Sequence, residues 1–227
     1  MLFRYLLLLT WAGRCLVAGD LSKAAPEYSY KPRDFSYLKG MPGFSNALLD
    51  LHFSLYQGYV KNCQALLDKL QSLENAGQER SIEWGALKRR LGWEFDGMRL
   101  HELYFENLGG KGEQKADSQM LKAIEMQFGS YQKWKEVFIS TGMMRGIGWV
   151  ILYHDPVAKK LINVWINEHD VGHLATSAPL LVMDAWEHAY ITEYGLNREK
   201  YINVFFNNID WSIVDRRFAQ LETSMQK

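Results

Sequence analysis

The chain has 227 residues, of which 48% are hydrophobic and 23% charged, an ordinary balance for a soluble globular protein. Lysine plus arginine and aspartate plus glutamate both total 26, so the formal net charge is zero. Because phosphate binding depends on clustered positive charge, this balance argues against a nucleic-acid partner. Aromatic residues reach 14%, which predicts an aromatic core or an aromatic-walled site.

The first residues resemble a secretory signal peptide over 1–19. Arg4 precedes an apolar run from Tyr5 to Gly13, and small residues follow at 17–19. Arg14, a charge at the end of that run, leaves an uncleaved anchor as the alternative. We expect a secreted or periplasmic protein with no membrane association after signal removal.

Cysteine usage predicts neither a disulfide nor a thiolate cluster. Removal of the signal peptide takes away Cys15 and leaves Cys63 alone. Cys63 lies on an apolar helical face, so we expect a small buried hydrophobe.

The first part of the chain reads as a helical hairpin domain over 28–110. From Phe44, with Ser45 as N-cap, apolar residues recur at steps of three and four for about thirty residues. A second helical pattern covers Ile82–Leu108, and Gly109-Gly110 closes it.

The second part reads as an α/β domain over 113–222. A turn at 154–156 separates the first two predicted strands. The fold class is therefore α+β: a long helical hairpin, then a three-stranded antiparallel sheet covered by helices. The predicted elements are helices at 117–128 and 131–140, strands at 148–153, 161–166 and 179–183, and helices after 184 and over 201–221.

Two histidines lie on the apolar faces of the hairpin helices. His52 shares a face with Leu48 and Tyr56, and His101 precedes Tyr104. A lone core-facing histidine is usually structural, but two on packed helices also suit a metal site.

A polar cluster of Asp184, Glu187 and His188 follows a buried apolar run. An ionised aspartate there is costly unless a cation or hydrogen-bond donors compensate it. A metal ion is one answer, and a helix N-cap is the other. Three imidazoles and one carboxylate suit a first-row transition ion, and the lack of thiolates argues against iron–sulfur and structural zinc sites.

The run from Asp184 to Tyr190, DAWEHAY, is similar to the signature of iron/manganese superoxide dismutases. That signature normally ends in two aromatics, whereas Ile191 stands at the last position here. The resemblance extends over about 28–222. Its other matches are His52 with Tyr59-Val60, His101 with Tyr104-Phe105 and Asn107 to Gly110, Gly146 to Trp149, and Asn207, Trp211 and Phe218.

The resemblance implies that His52, His101, Asp184 and His188 hold one iron or manganese ion, with solvent as the fifth ligand. The implied activity converts superoxide to oxygen and hydrogen peroxide by alternate reduction and oxidation of the metal. Glu187 would bond to His188 of a second subunit, which implies a homodimer or a dimer of dimers.

The resemblance also assigns residues around the ion. Tyr59 would stand at the mouth of the substrate channel, and Trp149 and Trp186 would wall the site. Arg198 would lie near the funnel that attracts an anion.

One departure from the family concerns Tyr59, which follows His52 by seven residues where eight are usual. We hypothesise that a helix bulge is deleted here, with Tyr56 as the alternative gate residue. In the family, polar residues at the positions of Leu55 and Ile191 form one hydrogen bond between subunits. Both partners of that bond are replaced by apolar residues here.

A second departure concerns the outer hydrogen-bond donor. Gly97 occupies the position of the iron-type glutamine, four residues before His101. His169 resembles the archaeal-like variants in which histidine takes the role of the glutamine, and it favours iron. Because a histidine titrates, His169 predicts an added pH dependence of activity that a glutamine there would remove. His173 is predicted to be a surface residue.

Two other functions are compatible with parts of the pattern. The changes at Leu55 and Ile191 are also compatible with a non-catalytic, metal-binding dimeric relative of the family. A zinc hydrolase fits less well, because such sites usually use three protein ligands and a general base.

Overall fold

The structure, a computed structural model, describes residues 29–224. The expected signal peptide and Cys15 lie outside these residues. Among the residues described, no helix combines the length and the apolar character needed to cross a membrane.

Two long helices form the N-terminal hairpin. Helix α1 spans Asn46–Asn75 and helix α2 spans Ile82–Glu106. The side chain of Ser45 accepts the N–H of Leu48, which confirms the predicted N-cap, and Ser81 caps α2 in the same way. The predicted continuation of α2 to Leu108 was wrong.

The C-terminal part confirms the predicted antiparallel sheet with helices packed around it. Strand β1 lies between β2 and β3. The elements in chain order are α3 (Gln119–Phe128), α4 (Tyr131–Gly142), β1 (Gly148–Asp155), β2 (Lys160–Asn167), β3 (Ala178–Asp184), α5 (Ile191–Tyr194), α6 (Arg198–Asn207) and α7 (Trp211–Ser224).

Two predicted boundaries in this part were wrong. Strand β1 continues through His154 and Asp155, where a turn was predicted, because both residues pair with β2. The single helix predicted over 201–221 is two helices, since the chain breaks at 208–210 to pair Ile209 with Leu108.

One apolar core joins the two parts of the chain. Helix α2 packs against β3, and the Asn107 side chain at its end bonds the backbone of Val182 with both polar atoms. Within β1 and β3, Trp149 lies opposite Asp184. This packing brings the end of β3 between the two hairpin helices. Cys63 is fully buried, as its helical face predicts.

Candidate metal centre

Four side chains from four separate elements meet inside this interface. His52 comes from α1, His101 from α2, Asp184 from the end of β3 and His188 from a 3-10 helix at Glu187–Ala189. One ligand atom from each of the four lies within 4.8 Å of the others. The three imidazoles and one carboxylate singled out by the sequence are therefore neighbours in space.

The Asp184 carboxylate is the hub of this cluster. Its Oδ2 lies 3.1 Å from Nε2 of His52, 3.0 Å from Nε2 of His188 and 3.7 Å from Nε2 of His101. Its Oδ1 accepts the backbone N–H of Trp186 at 2.8 Å. Oδ2 therefore faces the histidines. Asp184 is not the helix N-cap that was the other interpretation, because Trp186 holds the N-cap position of the following 3-10 helix and no side chain caps that helix.

Asp184 is fully buried, and its surroundings favour the ionised form. Burial raises the pKa of its carboxyl, but the charge and hydrogen bond of His188, followed by those of His52, hold the pKa well below its usual range. The cluster therefore carries a fixed negative charge at its centre.

His101 offers an unpartnered lone pair to the cluster. Its Nδ1–H donates to the carbonyl oxygen of Gly97 at 2.5 Å, which leaves Nε2 as the acceptor. Burial, followed by the neighbouring His52, lowers the pKa of His101, so the ring is neutral. Nε2 is buried and has no hydrogen-bond partner. A bound cation would satisfy this nitrogen, so the residues fit a metal ion.

His169 lies beside the cluster, fully buried, with partners on both ring nitrogens. Its Nδ1 accepts the indole N–H of Trp149 at 3.1 Å, and its Nε2 is 2.7 Å from the hydroxyl oxygen of Tyr59. An indole only donates, so in the neutral ring the proton sits on Nε2 and is donated to Tyr59. The hydroxyl hydrogen of Tyr59 is then free to point elsewhere.

Tyr59 lies closer to the cluster than Tyr56, whose ring centroid is 6.5 Å from that of His101. The Tyr59 ring stacks on His101 at 5.2 Å and 28°, because seven residues return a side chain to the same face of the unbroken helix α1. The Tyr56 hydroxyl donates to Glu102 and accepts the N–H of Arg33. Of the two hydroxyls, that of Tyr59 lies beside His169, and its role at a substrate channel stays a prediction.

Tryptophans enclose the cluster on two sides. Trp186 stacks on His169 at 4.7 Å and on His188 at 5.9 Å. Trp149 meets His101 edge-on at 5.0 Å. Both expected wall residues therefore contact the histidines of the site.

Trp93 is a site residue that the sequence reasoning missed. Its ring meets His169 edge-on at 4.8 Å and Trp186 at 6.0 Å. Trp93, Gly97 and His101 are spaced by four residues on α2. This spacing was the available signal, because it places all three on one side of a helix.

Arg198 is held by the backbone before β1, and its expected position near an anion funnel stays a prediction. Its guanidinium donates to the carbonyl oxygens of Met144 at 2.7 Å and Gly146 at 2.8 Å, and its Nε donates to the hydroxyl of Tyr190 at 3.2 Å. The arginine therefore fixes the turn before β1, where backbone carbonyls take up its donors.

His173 is not simply a surface residue, because only 28% of its side chain is exposed and both ring nitrogens have partners.

The residues expected at a subunit interface are exposed to different degrees. Glu187 is exposed, and 27% of the His188 side chain is exposed. Leu55 is half-buried and Ile191 is 39% exposed.

A largely buried set of three histidines and one aspartate, held between a helical hairpin and a small sheet, is a metal-binding group of the kind that metalloproteins use. Residues 116–217 match the family described as iron/manganese superoxide dismutases, C-terminal domain.

Several proteins are similar to this one over most of its length. The superoxide dismutase [Fe] of Pyrobaculum aerophilum is 32% identical, covering 85% of this chain and 92% of the relative. The superoxide dismutase [Mn] of Haloarcula marismortui is 35% identical over 88% of this chain and 95% of the relative. The superoxide dismutase [Fe] of Cupriavidus metallidurans is 34% identical over 85% and 96%. The chain belongs to the iron/manganese superoxide dismutase family.

Proposed function

We propose that this protein is a superoxide dismutase that turns two superoxide anions and two protons into dioxygen and hydrogen peroxide. One iron or manganese ion per chain, held by His52, His101, Asp184 and His188, would serve the reaction. The relatives named for iron and for manganese support both metals equally.

The observation that carries the proposal is the unpartnered Nε2 of His101 facing the ionised Asp184. Three imidazoles and one carboxylate match the donors that first-row transition ions take. When bound, iron or manganese supplies one-electron chemistry, which the side chains of the cluster cannot supply themselves.

The chain's own residues would position the anion and deliver a proton. Tyr59 receives the Nε2–H of His169, so its own O–H is available to donate toward the cluster. Burial, followed by the charges of Asp184 and Glu94, raises the pKa of Tyr59 to about 12. The phenol therefore stays protonated at neutral pH. Trp186 and Trp149 restrict water at the histidines.

The test combines elemental analysis with superoxide turnover on one purified sample. Wild-type protein should hold iron or manganese and show turnover. His101→Ala should lose more than the roughly 10- to 100-fold in metal affinity that changes to outer partners cost. His154→Gln is the matched control, a second buried histidine outside the cluster that should keep its metal. Full iron or manganese occupancy with negligible turnover contradicts the proposal and favours the non-catalytic alternative.

We further propose that the protein is a homodimer whose interface includes Glu187. The exposed carboxylate of Glu187 and the partly exposed ring of His188 adjoin the buried Asp184, which supports a cover supplied by a second subunit. Glu187→Ala should shift the mass in light scattering toward the monomer and weaken metal retention. A monomeric wild-type protein with full metal occupancy would exclude this arrangement.

We also propose export, with cleavage near Gly19. The basic start, the apolar run and the small residues of 1–19 support it. Cell fractionation followed by N-terminal sequencing should find a shortened chain outside the cytoplasm. An intact Met1 in the cytoplasmic fraction contradicts this proposal.

A further inference from the structure

The connection from β2 to β3 presents His169 from a constrained backbone. Glu168 has φ +55°, and Gly172 has φ +105°. The N–H of Asn167, just before Glu168, donates to the carbonyl oxygen of Val171, just before Gly172, at 3.1 Å, and this bond closes a tight turn. A non-glycine residue in the left-handed region is strained, so neighbouring contacts must hold this turn.

His173 supplies such contacts from the far side of the turn. Its Nε2 lies 2.7 Å from the backbone oxygen of His169 and 3.7 Å from Oδ2 of Asp96. Its Nδ1 lies 2.6 Å from the hydroxyl oxygen of Tyr153. A carbonyl only accepts, so Nε2 carries a hydrogen and donates it to His169, while Nδ1 is hydrogen-bonded to the Tyr153 hydroxyl.

We propose that His173 is a positioning residue that fixes His169 in register with both Trp149 and Tyr59. The imidazole ties the turn to β1 through Tyr153 and lies beside α2 at Asp96. This inference rests on the proposed function, because it assigns His169 a role in the reaction at the metal.

The two partners of His169 are positioned by their own packing, independently of the turn. Trp149 is fully buried in β1. The Tyr59 ring lies against Gly97 so closely that a Cβ there would be 2.6 Å from the ring. Hydrogen bonds tolerate only a few tenths of an ångström around about 2.9 Å. A displaced carbonyl at His169 therefore loosens both side-chain bonds together.

The test compares two substitutions in the full-length, metal-loaded protein. His173→Gln keeps a donor for the His169 carbonyl and an acceptor for Tyr153, whereas His173→Phe keeps a ring but loses both bonds. We expect the Phe variant to lose about tenfold in kcat/KM, as changes to outer hydrogen-bond partners do. The Gln variant should recover most of that loss.

Two further readouts do not depend on turnover. Crystal structures should show the distance from Trp149 Nε1 to His169 Nδ1 lengthened beyond about 3.5 Å in the Phe variant and kept in the Gln variant. Azide titration, followed by the visible absorbance of the metal, should show weaker binding for Phe alone. Val171→Ala, on the same turn with its side chain 53% exposed, is the matched control and should change none of these.

Several outcomes would overturn the inference. One is a Phe variant with wild-type turnover, azide affinity and an unmoved His169; another is an equal loss for Gln and Phe. If the Phe variant does not fold, Tyr153→Phe removes one of the two bonds, and unchanged azide affinity there counts against the proposal. Wild-type protein loaded with metal but lacking turnover refutes the proposed function instead. The distance and azide measurements then still test whether His173 positions His169.

Discussion

Hydrogen-bond direction at single residues determines what the site can donate. The indole of Trp149 forces Nδ1 of His169 to accept, so the opposite nitrogen donates to Tyr59. The phenol hydrogen is thereby released for a ligand. In the same way the Gly97 carbonyl takes the Nδ1–H of His101 and leaves its Nε2 bare. One indole donor and one backbone carbonyl acceptor thus fix which nitrogen of each imidazole carries the hydrogen.

Two single variants, each lacking one tyrosine hydroxyl, should distinguish a residue needed for turnover from a residue needed for stability. Tyr59→Phe should lower turnover about tenfold at high superoxide concentration, where proton delivery limits the rate. Tyr56→Phe should keep turnover but cost about 1–3 kcal/mol of unfolding free energy, because Glu102 and the Arg33 N–H lose a buried partner. Pulse radiolysis and denaturant melts measure the two effects. The reverse pattern would make Tyr56 the gate.

Buried histidines make stability sensitive to acid. Burial lowers the pKa of His169 to about 4, below its value of about 6.5 in the unfolded chain. The unfolding free energy is therefore unaffected by this residue above pH 6.5 and falls as the pH drops toward 4, because the unfolded chain then binds a proton that the folded chain does not. At pH 5 the resulting loss of unfolding free energy is about 2 kcal/mol. The expected pH dependence of activity from this residue likewise moves to the acid side of neutrality.

The measurement is the unfolding free energy of wild type and His169→Gln at pH 7.5 and pH 5. Wild type should lose more on acidification than the variant, because glutamine does not titrate. Equal losses would mean that the pKa of His169 does not differ between the folded and the unfolded chain.

At the element scale, glycines decide how closely the hairpin helices approach. A Cβ on Gly97 would lie 2.6 Å from the Tyr59 ring, whereas one on Gly58 meets nothing within 4 Å. Gly97→Ala should therefore displace the Tyr59 ring and lower turnover, despite a gain in helix propensity. Gly58→Ala, in the interior of α1, should stabilise by about 0.5–1 kcal/mol and leave turnover unchanged. Thermal melts and turnover assays compare them, and full activity in the Gly97 variant would refute the steric account.

The predictable elements were those with local periodicity. Helices α1 and α2 follow from apolar steps of three and four, and β1 to β3 follow from apolar runs bounded by turn residues. The break at 208–210 was missed because its cause is non-local, the pairing of Ile209 with Leu108. His173 was misread for the same reason, since its partners Tyr153 and Asp96 are distant in sequence. Family resemblance, rather than spacing, assembled the four candidate ligands.

At the scale of the whole molecule, a bound ion would join the two parts of the chain. Two candidate ligands lie in the hairpin, and Asp184 and His188 lie in the C-terminal part. Metal should therefore raise the melting temperature in proportion to the logarithm of its free concentration. Scanning calorimetry of chelated and reloaded protein measures this shift. Asp184→Asn should abolish most of it, and a shift retained in that variant would place the stabilising metal elsewhere.

His52 and Asp184 are separated by 132 residues, and this distance governs when the ion can enter. During synthesis the first two imidazoles leave the ribosome long before the carboxylate that completes the set. The centre therefore assembles only after nearly all of the polypeptide has emerged. If the leader directs secretion, assembly finishes on the far side of the membrane, and the supply of iron and manganese in that compartment decides which of them the enzyme acquires.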